Sequence, residues 1–98
     1  MNIVQLAKID NLKELKTIDK LVLGNTSREF YIQKAIEKSR CFVASSAGVT
    51  AGFLTFDTNF FDHCFISLVI VHPLERRKGL ASSLIKHFEK VAPTEKIF

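Results

Sequence analysis

The apolar run Phe65-Ile66-Ser67-Leu68-Val69-Ile70-Val71 leads through His72-Pro73-Leu74-Glu75 into Arg76-Arg77-Lys78-Gly79-Leu80-Ala81, which opens an amphipathic stretch. A near-continuous apolar run of this length reads as a strand covered on both faces, and so as the central strand of a sheet. In the stretch that follows, Leu80, Ala81, Leu84, Ile85, Phe88, Val91 and Ala92 form one apolar stripe, opposed by Ser82, Ser83, Lys86, His87, Glu89 and Lys90. That spacing predicts a helix, which Pro93 stops. The first turn of a helix offers N–H groups with no intrahelical partner and a partial positive charge, and here a glycine and three consecutive cations stand beside it. The strand, loop and helix together have the shape of a phosphate-binding site.

The rest of the chain supplies cover for that strand. Ile3 to Ala7 reads as a first strand. Leu12, Leu15, Ile18, Leu21 and Val22 then recur at helical spacing behind Asn11, with Glu14 three residues on, and Gly24 ends the helix. Thr26-Ser27-Arg28-Glu29 predicts a second capping box, followed by a helix to about Ser39 that buries Ile32, Ala35 and Ile36. Cys41 to Ser46 and Val49 to about Asp57 read as two strands of a hairpin turning at Ala47-Gly48. Asp57 to Asp62, with Phe60-Phe61 inside it, reads as a turn-like link, Cys64 to Val71 as the next strand, and Lys96-Ile97-Phe98 as the start of another.

The length of 98 residues sets a single domain over 1–98. Apolar residues make up 47% and charged residues 24%, and no apolar run approaches the roughly 20 residues that span a bilayer, so no membrane partner is expected. The opening Met1-Asn2-Ile3-Val4-Gln5-Leu6 lacks the order of a secretory signal, which makes a cytoplasmic location the default. Cys41 and Cys64 fall in expected strands with no paired ligands near them, and they read as reduced, structural residues rather than a metal site. The net charge of +4 suits an anionic cofactor at least as well as a nucleic acid. A nucleic-acid binder would call for a dispersed basic face or stacking aromatics beside the cations, and the sequence shows neither.

The segment Arg76-Arg77-Lys78-Gly79-Leu80-Ala81, with Val71-His72-Pro73 in front of it, fills the pattern Gln/Arg-x-x-Gly-x-Gly/Ala after a strand ending in Val-x-Pro. In this it resembles the GNAT superfamily of acyl-CoA-dependent N-acetyltransferases. The resemblance implies a mixed α/β (α+β) fold: a central, mostly antiparallel sheet flanked by helices, in the order β-α-α-β-β-β-α-(β). It also implies that the chain covers the N-terminal two-thirds of such a domain, with the C-terminal elements missing. It implies acetyl-CoA as co-substrate and no metal. The main-chain N–H groups of Arg77, Lys78, Gly79, Leu80, Ala81 and Ser82 would surround the pyrophosphate, and Arg76, Arg77 or Lys78 would neutralise it. Val69 and Val71 would lend backbone groups to the pantetheine, and an N–H near Val69 or Ile70 would hold the acyl oxygen as charge develops on it. The plainer alternative is a solvated basic loop with glycine at a helix start.

For the reaction, the resemblance implies direct attack of a primary amine on acetyl-CoA in a ternary complex. An alkyl amine has a pKa of about 10.4 and only its neutral form attacks, so a base is needed. The family often has a carboxylate where this chain has Ser67, and the candidates left are Asp57, Asp62 and His63, each also readable as a turn or surface residue. The family's usual acid is a tyrosine in a later segment. The one tyrosine here, Tyr31, falls on the second helix, near where the family builds its acceptor pocket, and reads as a partly buried helix residue. The alternative function is a catalytically incomplete CoA-binding fragment or a partner-dependent module. The acceptor would be a small-molecule or protein amine, and an open sheet edge predicts a homodimer.

Overall fold

Ala47 and Gly48 set the middle of the fold. In the computed structural model, which describes residues 2–58 and 64–91, both have positive φ (52° and 81°) and link Ser46 to Val49 across a two-residue turn. Two left-handed residues give the turn whose twist matches that of the flanking strands. The hairpin joins β2 (Cys41–Ser46) to β3 (Val49–Thr58), with β1 (Asn2–Leu6) antiparallel to β2 and β4 (Cys64–Val71) antiparallel to β3. The sheet order is β1-β2-β3-β4.

Among the described residues β4 is therefore an edge strand, not the expected central one. Its apolar continuity comes from cover on both faces, which does not require neighbours on both sides. Leu68 and Ile70 join the core on one face, and Ile66, Val69 and Val71 join the core on the other. β3 runs through Thr58, so Asp57 lies in the ladder opposite Phe65 and not in the turn-like link. The pairs Thr55 with Leu68 and Phe56 with Ile66 pass over Ser67, leaving an extra residue in β4. Such a bulge bends a strand and re-aims its side chains. The Asp62 and His63 candidates, Phe60-Phe61, Ala92, Pro93 and the expected strand at Lys96-Ile97-Phe98 lie outside the described residues.

Helices α1 (Leu12–Leu23) and α2 (Glu29–Glu37) cover one face of the sheet and α3 (Leu80–Val91) covers the other. The first face packs Leu15, Ile18, Ile32, Ala35 and Ile36 on Cys41, Val43, Phe53 and Ile70. The second packs Leu80, Leu84 and Phe88 on Phe42, Leu54, Phe56 and Cys64, with the Phe42 and Phe56 rings stacked and Phe88 tilted against Phe56 at 5.3 Å. Ala81 and Val91, placed on the apolar stripe by the sequence, are exposed.

Helix starts differ from expectation. The side chain of Asn11 accepts from the N–H of Lys8 at 2.8 Å and closes a 3-10 turn over Ile9–Asn11, rather than capping with Glu14. At α2 the residue before the helix is Arg28, with no side-chain cap, and the carbonyl of Thr26 takes the Glu29 N–H at 3.2 Å. Arg28 bonds instead to Asp19, which is 1% exposed, at 2.6 Å (Nη2 to Oδ1) and 3.3 Å (Nε to Oδ2), clasping α2 to α1. Gly24 ends α1 at φ 90°, as expected.

Candidate functional site

The strand-to-helix connection is held by three short-range devices and one long-range one. Pro73–Glu75 makes a 3-10 turn, in which His72 Nδ1 accepts from the Leu74 N–H at 3.0 Å and its carbonyl accepts from the Glu75 N–H at 2.9 Å. Lys78 then pairs with Glu75. Arg77 and Gly79 both take left-handed φ, 70° and 73°. A non-glycine residue held there is mildly strained, and such positions gather where a backbone must point its amides at a ligand. From the other end of the chain, Asn2 Nδ2 donates to the Lys78 carbonyl at 2.7 Å and pins the loop to β1. The Ser83 N–H closes the first turn of α3 on the Gly79 carbonyl at 2.9 Å, so the N–H groups of Gly79, Leu80, Ala81 and Ser82 have no acceptor within the helix.

Those amides open on a cleft of about 450 Å³ between β4 and the start of α3. Val69 and Val71 form its strand wall, Arg76, Arg77 and Glu75 its loop wall, and Gly79, Leu80, Ala81 and Ser82 its helix wall. The structure thus brings together the expected residues of strand, loop and helix, with two differences. Lys78 does not line the cleft, because its ammonium is taken by Glu75. Ile70 does not line it either, because its side chain belongs to the opposite core. Glu75 is the lining residue that the motif did not point to; Lys78 three residues on, close enough to offset its charge, was the available signal.

Strand alternation also separates the two candidates for the acyl-oxygen donor. The His72 N–H donates across to the Ala51 carbonyl at 2.7 Å, so His72 and, two residues back, Ile70 turn their backbone groups toward β3. Val69 and Val71 then turn theirs away from β3, to the side of β4 where no other described strand lies. Gly52, opposite Val71, permits this close pairing, since a Cβ there would lie 2.7 Å from the Ile70 carbonyl oxygen.

On the other face of the sheet a polar cluster surrounds Asp57. Its Oδ2 accepts from Ser67 Oγ at 2.8 Å and from Tyr31 Oη at 3.0 Å, and Arg40 Nη1 lies 3.4 Å from Oδ1. Tyr31 Oη is also 3.2 Å from Oγ1 of the fully buried Thr55. Three elements, α2, β3 and β4, meet here, and no local motif announces the meeting. Alternation along β3 could have put Thr55 and Asp57 on one face, but the match to Ser67 depends on the bulge. Burial pushes the Cys41 thiol up to about 12, in keeping with a structural role. Among the described residues no group of His, Cys, Asp or Glu could hold a metal ion, and no helix is long and apolar enough to cross a membrane.

A strand, a pinned Arg-x-x-Gly-x-Ala loop and a helix N-terminus meet around one cleft, and comparison with known proteins gives the family. The sequence matches the model of the acetyltransferase (GNAT) family over residues 9–97, and the chain belongs to that family. It resembles a GNAT-family acetyltransferase from Bacillus cereus at 46% identity and a TM-score of 0.94, over 99% of this chain and 68% of that one. The fold is shared with Ard1 from Thermoplasma volcanium (18% identity, TM-score 0.81, 93% of this chain and 63% of that one). It is shared too with an N-acetylglutamate synthase from Neisseria gonorrhoeae complexed with coenzyme A and N-acetyl-glutamate (21% identity, TM-score 0.70, 94% and 22%). The chain thus spans about two-thirds of the first two. No curated protein matches the sequence.

Proposed function

We propose that this chain is an N-acetyltransferase that binds acetyl-CoA in the cleft between β4 and α3 and passes the acetyl group to a primary amine. The observation that carries this is the convergence of the amides of Gly79, Leu80, Ala81 and Ser82, which have no acceptor within the helix, with Arg76 and Arg77 on one opening, flanked by the outward backbone groups of Val69 and Val71. Amides and guanidinium groups so arranged suit a pyrophosphate, and an outward strand edge suits the amide-bearing pantetheine arm. A neighbour of the same fold complexed with coenzyme A and an N-acetylated product supports the same pairing of substrates.

Acetyl-CoA supplies an activated thioester. In the reaction the amine nitrogen attacks the carbonyl carbon, the C–S bond breaks, and the thiolate leaves to be protonated. The Val69 N–H, facing the open edge, holds the acyl oxygen as negative charge grows on it. Removing one such donor typically costs about 10²–10³ in rate, but a backbone donor is not removed by mutation, so binding is the sharper test. Amide shifts on titration with acetyl-CoA should centre on Val69, Val71 and residues 76–82, with adenosine 3′,5′-bisphosphate moving only the last group. A folded sample with no shifts would reject the assignment and leave the basic loop as architecture.

A further inference from the structure

We propose that Asp57, on β3, takes the proton from the acceptor amine, with Ser67 and Tyr31 as positioning residues; this rests on the acetyl-transfer reading above. Asp57 is about a third exposed, 34%, in a cluster that joins β3 to Ser67 of β4 and Tyr31 of α2. Two hydroxyls, Ser67 Oγ at 2.8 Å and Tyr31 Oη at 3.0 Å, fix its Oδ2, and Arg40 Nη1 at 3.4 Å from Oδ1 is the charged group beside it, leaving Oδ1 the oxygen with a lone pair to spare. Tyr31 is steadied in turn by Oγ1 of Thr55 at 3.2 Å, which is fully buried. A carboxylate has about four lone-pair sites, and a side chain held this firmly yet open to solvent retains room for one more donor. A surface carboxylate with only a structural role has no need of a shell drawn from three elements.

The placement suits the chemistry. The donor cleft lies on the α3 face of β4 and Asp57, bonded to Tyr31 of α2, on the α1–α2 face, so an acyl group and an amine can meet at β4 from opposite sides. Ser67 lies two residues, roughly 7 Å at strand spacing, from Val69. As the C–N bond forms, the attacking nitrogen becomes cationic and its proton strongly acidic. Asp57 accepts that proton while the C–S bond breaks, and the proton passes through solvent to the departing thiolate, which balances the reaction.

The test compares the 98-residue chain with Asp57→Asn, Asp57→Glu, Ser67→Ala and Tyr31→Phe, using tyramine, spermidine and a tetrapeptide with a free N-terminal alanine as acceptors. Asp57→Asn is expected to bind acetyl-CoA within about twofold of the parent but to lose about 10²–10⁴ in kcat, the range of general-base catalysis. Asp57→Glu should recover part of the loss, and Ser67→Ala and Tyr31→Phe should each lose about tenfold in kcat with KM for acetyl-CoA unchanged. The proposal is overturned if Asp57→Asn keeps more than a third of the parent kcat, or if its acetyl-CoA affinity falls in step with kcat. It is equally overturned if the parent binds acetyl-CoA and none of the amines either reacts or shifts the amides of Tyr31, Asp57 and Ser67. Failure to bind acetyl-CoA at all would instead strike the acetyl-transfer reading itself.

Discussion

The two faces of the sheet are built by different means. On the α3 face one contiguous stretch, from Val69 to Ser82, lines a cleft into which a helix start opens, and the core behind it is aromatic and apolar. On the α1–α2 face the polar groups are side chains from three elements, Tyr31, Thr55, Asp57 and Ser67, and a pair between the buried Asp19 and the partly exposed Arg28 clasps α1 to α2, which carries Tyr31. A cleft made of backbone tolerates changes to its side chains but not to its path. A side-chain cluster tolerates neither a lost group nor a shifted helix.

The largest expected effect tests the aromatic side. Phe88→Ala removes a fully buried ring that meets Phe56, and should cost about 3–5 kcal/mol in urea denaturation. Because α3 forms the helix wall of the cleft, acetyl-CoA binding should weaken with it, whereas Leu15→Ala on the other face should destabilise by about 2–5 kcal/mol and spare that binding. Equal loss of binding in both variants would erase the contrast between the faces.

Breaking the helix clasp comes next. Asp19→Ala leaves the Arg28 guanidinium, which is partly exposed, without its charged partner, at a cost of about 1.5–3 kcal/mol. Turnover should fall because α2 carries Tyr31, while the affinity for acetyl-CoA holds. A drop in affinity measured by calorimetry would mean that the faces are coupled through the sheet.

Gly79→Ala sharpens the point about path. A Cβ there meets nothing nearer than Asn2 Nδ2 at 4.0 Å, so the cost is left-handed strain of about 1–2 kcal/mol rather than a clash. Acetyl-CoA affinity should nonetheless fall by about tenfold or more, since the amides turn with the backbone. Arg76→Ala should lose less, and the loss should shrink as salt is raised. A larger effect from Arg76→Ala would show that side-chain charge, and not amide geometry, governs the cleft.

The smallest effect is a pH dependence. The folded chain holds the Cys41 thiol protonated up to about 12, above its ordinary 9.0, so the folded state binds the extra proton between those values. Stability from this group is therefore full below pH 9 and declines as pH rises from 9 toward 12. Denaturation midpoints over that range, compared with Cys41→Ala, should show the slope lost in the variant.

The sequence was informative where neighbours in the chain are neighbours in space. The strand, loop and helix around the cleft were legible because Val-x-Pro, Arg-x-x-Gly-x-Ala and the helix stripe lie within one stretch, and each constrains backbone locally. The Ala47-Gly48 hairpin was legible for the same reason. Capping was not: Asn11 and Arg28 each had competing partners, Lys8 and Asp19, that simple spacing rules do not weigh. Nor was the place of β4, since cover on two faces writes the same apolar run into an edge strand as into a central one.

By itself the chain's sequence determined the order of its elements, the hairpin, and the loop that carries β4 into the start of the last helix, because hydrophobic periodicity and glycine conformation act over a few residues. Only the tertiary structure decided that Asp57, readable in the sequence as a turn residue, stands in a strand beside Ser67 and Tyr31. Register across a bulge and the seating of a helix on a sheet are set by the packing of the whole core, and no short run of residues encodes them.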